Sequence, residues 1–167
     1  MHNISKNQIA LAGEFAVLSQ LALHGFDANL TLGNTKGVDI LVSSPDTGKM
    51  RRVEVKTTSA FRTYENKTCG TVVGQWRMSD KHESNRDKDL FYCFVGFSSE
   101  DSGFSFFVVP SKVVADFVTK SHTHWLSTKD TRKDSPMRLF QIGKSRKEHA
   151  VKLPLAEKYR NNWDLLK

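Results

Sequence analysis

Two short β-branched runs on either side of a tight turn constrain this chain more than any other feature. Gly37-Val38-Asp39-Ile40-Leu41-Val42 and Arg52-Val53-Glu54-Val55-Lys56-Thr57 flank Ser44-Pro45-Asp46-Thr47-Gly48. β-Branched residues favour strands and the Pro/Asp/Gly cluster favours a turn, so the pair reads as a hairpin. Side chains alternate along a strand, which sends Val53 and Val55 to one face and Glu54 and Lys56 to the other. Residues two apart on a strand are about 6.6 Å apart, close enough for a carboxylate and an ammonium to serve one place. Asp39 joins that face if it lies opposite Glu54 or Lys56 and not Val55. The Ser44–Met50 loop leaves the register open, and a bulge or bend would also satisfy it. Two carboxylates beside one ammonium can hold a hard divalent cation through oxygen and still admit phosphate and water.

The surrounding pattern is α/β. Ser5 and Gln8 form an S-x-x-Q capping box with Ile4 and Ile9 as its staple, opening a helix that His24-Gly25 ends. Leu11, Ala12, Phe15, Leu18 and Ala22 recur at helical spacing, and Ala16, Val17 and Leu21 widen that apolar face, which predicts packing on a sheet. A first strand is expected over Phe26–Leu32, with a turn at Gly33–Gly37. Further strands are expected at Thr71–Met78 and, as a hairpin joined through Ser98–Gly103, at Leu90–Phe97 and Phe104–Val109. Ser79–Asp89 reads as a polar loop. Ser111 is the expected N-cap of a second helix that buries Val113, Val114, Phe117 and Val118. Downstream, Leu139–Ile142 reads as a short strand and Pro154–Leu166 as a closing helix. The expected organisation is one domain over 1–167, with a core at about 5–121 and a basic extension at 122–167.

Charge narrows the partner. The 167 residues carry a formal +7, and Lys120–Lys152 holds nine Lys/Arg against three Asp/Glu. Such an excess favours polyanions, because each neutralised phosphate releases counterions. Nucleic acid is the expected partner, DNA ahead of RNA, and an anionic membrane is not. Lys129, Arg132, Lys133, Lys144, Arg146 and Lys147 are the candidate phosphate contacts. Cys69 and Cys93 lack ligand spacing, and His82-Glu83 and His122-Thr123-His124 lack companion ligands, so zinc chemistry is set aside. The histidines are expected to meet solvent or phosphate. Gln75 is expected on a sheet surface, within reach of the site only as a second reading. Glu14 and Gln20 interrupt the apolar Ile9–Leu23 run, which argues against a signal peptide and for a cytoplasmic setting.

The array G-V-D-I-L-V, followed after fourteen intervening residues by E-V-K, resembles the PD-(D/E)XK nuclease superfamily, which includes many restriction endonucleases, Holliday junction resolvases and repair nucleases. The resemblance runs from the Glu14-bearing helix to Thr58, about a third of the chain; Val38 replaces the signature proline before the first acid, a proline often missing in the family. It implies a restriction-endonuclease-like αβββαβ core with a mixed central sheet flanked by helices. It further implies Mg²⁺ (with Mn²⁺ able to substitute) held by Asp39, Glu54 and the Val55 carbonyl, with Glu14 as an additional ligand, direct or through water. Lys56 would orient or deprotonate the attacking water and stabilise transition-state charge. In-line attack would leave a 5′-phosphate and a 3′-hydroxyl. An endonuclease acting on DNA is expected, and a homodimer fits because cutting two strands needs two sites. Two alternatives stay open: a non-catalytic nucleic-acid-binding module of this fold, and a subunit of a restriction or repair complex.

Overall fold

The computed structural model describes residues 4–31, 37–98 and 103–167. The expected turn at Gly33–Lys36, the end of the first strand at Leu32 and the hairpin tip at Ser99–Ser102 lie outside them. Helix α1 (Lys6–Leu23) begins at its capping box. Ser5 Oγ accepts from the Gln8 N–H at 3.3 Å, and Gln8 Oε1 accepts from the Ser5 N–H at 2.9 Å. Two donors that a helix start leaves open are thereby satisfied.

Five strands form the central sheet: β1 (Asp27–Leu30), β2 (Ile40–Ser43), β3 (Met50–Thr58), β6 (Leu90–Ser98) and β7 (Gly103–Pro110), in the order β1-β2-β3-β6-β7. All neighbours are antiparallel except β3 and β6, which run parallel. A second sheet is ordered β4-β5-β8, from β4 (Tyr64–Asn66), β5 (Gly70–Ser79) and β8 (Met137–Ser145). The path from β3 to β6 is made by β4, β5 and a 3-10 turn at Asp80–Glu83, and helix α2 (Ser111–Ser127) follows β7.

The central sheet is buried on both faces, as its near-continuous apolar β6 requires. Phe91, Cys93 and Val95 pack with Val53, Val55, Ile40, Val17 and Leu21 on one side. On the other, Tyr92, Phe94 and Phe107 meet Val72, Trp76, Phe140 and Ile142 of the second sheet and Val114, Phe117 and Val118 of α2. The fold is thus α/β with a mixed central sheet flanked by helices. No helix among the described residues is long and apolar enough to cross a membrane.

Several local expectations need correction. The buried side of α1 is Gly13, Val17 and Leu21, whereas Leu11 and Phe15 are 50% and 52% exposed. The reason is the approach at Gly13, where a Cβ would lie 1.8 Å from Thr57 Oγ1 of β3. Only glycine lets the helix backbone rest that close, and this contact fixes which side of α1 faces the sheet. Pro110, not Ser111, caps α2; Ser111 Oγ donates to the Asp87 carbonyl at 2.5 Å. Residues 137–145 of the basic segment form a full strand, because β8 pairs with β5 along its length. The expected closing helix is reduced to α3 (Ala156–Tyr159) and a 3-10 turn at Trp163–Leu166, with Asn161 between them at φ 50°.

Candidate active site

The β2–β3 register decides whether the two acids meet. Ile40 pairs with Val53, so one further step places Asp39 opposite Glu54, on the same face. The Asp39 N–H donates to the Val53 carbonyl at 2.9 Å. The strand ends there, and the side chain takes over as acceptor: Asp39 Oδ2 receives the Val55 N–H at 2.7 Å. Thr31 fixes this corner from β1's end, its N–H donating to the Asp39 carbonyl at 2.9 Å and its Oγ1 to the Val38 carbonyl at 2.7 Å.

Glu54 is 2% exposed. Its Oε1 lies 2.6 Å from Lys56 Nζ, while Oε2 is buried with no hydrogen-bond partner. Gly37, at φ 75°, borders that oxygen; a Cβ there would stand 3.4 Å from it. Burial raises the Asp39 pKa, with Glu54 adding to the rise and the Val55 N–H and Lys56 opposing it. Burial also raises that of Glu14, followed by repulsion from Asp39, with Lys56 opposing. Glu14 on α1 therefore shares an electrostatic environment with Asp39 and Lys56.

This donor set fits a hard divalent cation. A buried carboxylate oxygen without a donor is costly, and a bound cation would offset that cost. Among the described residues no three His, Cys, Asp or Glu side chains form a ready metal cage. Mg²⁺ suits such a site, because it commonly uses one or two carboxylates and keeps waters and substrate phosphate for its other positions.

His82 and Tyr92 stand behind Glu54, and the sequence reading missed both. His82 was expected at solvent or phosphate; it is 3% exposed, with Nδ1 2.8 Å from Tyr92 Oη and 3.8 Å from Glu54 Oε2. Burial holds its pKa down to about 4, against the pull of Glu54, so the ring is neutral at neutral pH. Tyr92 is held above the usual phenol range by burial and by Glu54 beside it. The signal for Tyr92 is a lone hydroxyl in the continuously apolar run of β6, on a strand beside β3; nothing local marks His82.

Lys56 opens onto a cleft of about 460 Å³, shared with Lys6, Thr58, Gln75, Arg77 and Leu139. Gln75 therefore stands both on the sheet surface and in the cleft. Phe61 anchors the segment after β3 that floors it, seated where a Cβ on Gly96 would come within 2.2 Å of its ring.

The basic candidates do not gather at this cleft. Arg132 lies over Trp125, 4.6 Å from the ring centroid, and bonds back to Trp125 O and Thr128. Lys144 is exposed on β8 opposite Thr71. Arg146 borders a separate hollow with Lys67, His124 and His149, and the Lys147 carbonyl accepts from Lys152 Nζ at 2.5 Å. Lys129 and Lys133 follow the end of α2. His122 is not a free phosphate ligand: its Nε2 lies 2.7 Å from Asp134 Oδ1 and its ring stacks on Trp125.

No family model matches the chain, and no curated protein matches it either. Among solved structures it is similar to a bacterial homing endonuclease, I-Ssp6803I, with a TM-score of 0.53, 17% identity, and coverage of 98% of this chain and 93% of that one. Likeness at this identity shows a shared fold, running nearly end to end through both chains.

Proposed function

We propose that this chain is a metal-dependent endonuclease of the PD-(D/E)XK type acting on DNA. The observation that carries the reading is Glu54: a buried carboxylate with Lys56 on one oxygen and no partner on the other, set opposite Asp39. The homing endonuclease with the same fold supports it.

Asp39 and Glu54 would hold Mg²⁺ or Mn²⁺, with the Val55 carbonyl and Glu14 completing the protein's share. When bound, the cation supplies charge neutralisation at the scissile phosphate and lowers the pKa of water. The chain's own residues do the positioning. Hydrogen bonding to the Val55 N–H fixes the Asp39 carboxylate, and the Glu54 pair holds the Lys56 ammonium at the cleft floor. There Lys56 orients the attacking water and offsets charge growing on the phosphate oxygens. The water oxygen bonds to phosphorus as the bond to the 3′-oxygen breaks, giving a 5′-phosphate and a 3′-hydroxyl.

Supercoiled plasmid incubated with the protein in Mg²⁺, Mn²⁺ or EDTA tests this. Cutting should require metal and disappear in Asp39→Ala and Lys56→Ala, while both variants still retard DNA in a gel. Full turnover by either variant refutes the assignment. A homodimer remains the expected form for double-strand cutting, checked by light scattering with and without duplex.

A further inference from the structure

Among the described residues the second sheet has one face in the core and an outward face that is open at Gln75 and Arg77 and bordered by Ser121, His122 and Trp125 of α2 near Leu139 and Gln141. Along β5, Val72, Trp76 and Met78 point inward, and Thr71, Gln75 and Arg77 point outward. The pairing sets Gln75 beside Gln141, Arg77 beside Leu139 and Thr71 beside Lys144. This outward face is polar at Thr71, Gln75, Arg77, Gln141 and Lys144 and apolar at Leu139 and Met137, and it runs directly into the cleft of Lys56, which Gln75, Arg77 and Leu139 also line.

We infer that this face enters the major groove of duplex DNA, with Gln75, Arg77 and Gln141 reading base edges next to the scissile phosphate; the inference rests on the nuclease reading above. Dimensions agree. The B-DNA major groove, about 12 Å wide, admits a β-ribbon, and strands lie about 4.8 Å apart. Residues two apart on an antiparallel strand are about 6.8 Å apart, the rise of two base steps at 3.4 Å each. Gln75 and Arg77 are so spaced on β5.

Chemistry agrees as well. Gln pairs with the N6/N7 edge of adenine and Arg with the O6/N7 edge of guanine. Tyr64 Oη donates to Gln75 Oε1 at 2.8 Å, and the Gln141 Nε2 lies 3.5 Å from the same oxygen, so the two amides are oriented together. Charge is complementary: Arg51, Arg52, Arg86 and Arg138 are paired with acids elsewhere, whereas among the described residues no acid pairs with Arg77, Lys144 or Lys6. Glu65, at the β4 edge, accepts from Thr71 Oγ1 at 2.5 Å and is the acid nearest Lys144 across the pairing of Thr71. Duplex RNA does not fit, because its major groove is too deep and narrow for side chains to read.

The test is selection from a library of short DNA duplexes randomised over a central stretch, bound to wild-type protein in EDTA and in Ca²⁺, with a matching duplex RNA library alongside. Wild type should enrich one DNA sequence. Arg77→Ala should lose preference at a G·C pair, and Gln75→Ala and Gln141→Ala at A·T pairs, each by roughly 5- to 150-fold. Lys144→Ala should weaken all sequences alike and flatten the log–log salt dependence by about 0.9. Wild type enriching no sequence, enriching only RNA, or all three base-reading variants enriching the wild-type sequence overturns the inference. The plasmid assay separates the two claims: cutting without sequence enrichment sinks this inference alone, and enrichment without cutting sinks the nuclease reading alone.

Discussion

Replacing Glu54 by Gln keeps the side chain's shape and removes its charge. In metal-free protein that charge is a burden, since the carboxylate is 2% exposed and one oxygen has no donor. An orphaned buried acceptor costs about 1–3 kcal/mol. The pair with Lys56, whose side chain is 27% exposed, returns only about 0–1 kcal/mol. In EDTA, Glu54→Gln should therefore match wild type or exceed it by up to about 3 kcal/mol. With metal the order reverses. A ligand that binds only the folded state adds RT ln(1 + [L]/Kd), about 2.7 kcal/mol at a hundredfold excess over Kd. At about 2–4 °C per kcal/mol for a chain of this size, saturating Mg²⁺ or Mn²⁺ should raise the wild-type Tm by roughly 5–11 °C. Glu54→Gln should show almost none of that rise. Differential scanning fluorimetry in EDTA and across a metal titration reads both halves. A variant that keeps the metal-induced rise, or a wild type without one, refutes the reasoning.

Three further outcomes are expected. Gly13→Ala should destabilise by about 1–3 kcal/mol in urea unfolding despite alanine's better helix propensity, because the added methyl meets Thr57; an unchanged midpoint would show that α1 can lift off β3 at no cost. His82, with its folded pKa lowered to about 4 against about 6.5 unfolded, contributes stability that is complete above about pH 6.5 and is lost as pH falls toward 4, at up to about 1.4 kcal/mol per unit. Asp39 and Glu14, whose pKa values are raised, act in the opposite sense, losing stability as pH rises through their folded values. Subtracting the pH–stability curve of His82→Asn from that of wild type isolates the histidine, and a flat difference would mean that the ring is not held neutral. Finally, neutralising Lys144, Arg146 and Lys147 together should reduce the salt slope of DNA binding by close to one contact rather than three, about 0.9, since only Lys144 stands on the second sheet's outward face. Fluorescence anisotropy across a salt series measures it.

What the sequence made legible was local. The capping box placed the start of α1, and the turns placed the β2–β3 and β6–β7 hairpins, because each rests on residues a few positions apart. The second sheet was not legible: β4 is three residues long, and β8 reaches β5 only after β6, β7 and α2 have intervened. The face of α1 was misjudged because a close backbone contact at Gly13, and not apolar content, sets it. For the site, residue types and spacing pointed to Asp39, Glu54 and Lys56, but the register that brings the acids together depends on how the Ser44–Lys49 turn closes. His82 and Tyr92 reach Glu54 only after the chain has passed through the second sheet and returned as β6.

The placement of Trp163 and Leu166 has a consequence for biosynthesis. Both lie in the same apolar cluster as Val17, Ile40 and Val53, and Arg51 Nη2 donates to the Lys167 carbonyl at 3.4 Å. The strand that carries Glu54 and Lys56 is thus finished on its back by residues made long after it. Domains fold as units once their long-range contacts can form. A ribosome delivers the E-V-K motif early, yet the apolar cluster behind it is complete only with residues 163–166, so a nascent chain interrupted before them carries the motif on an unfinished scaffold.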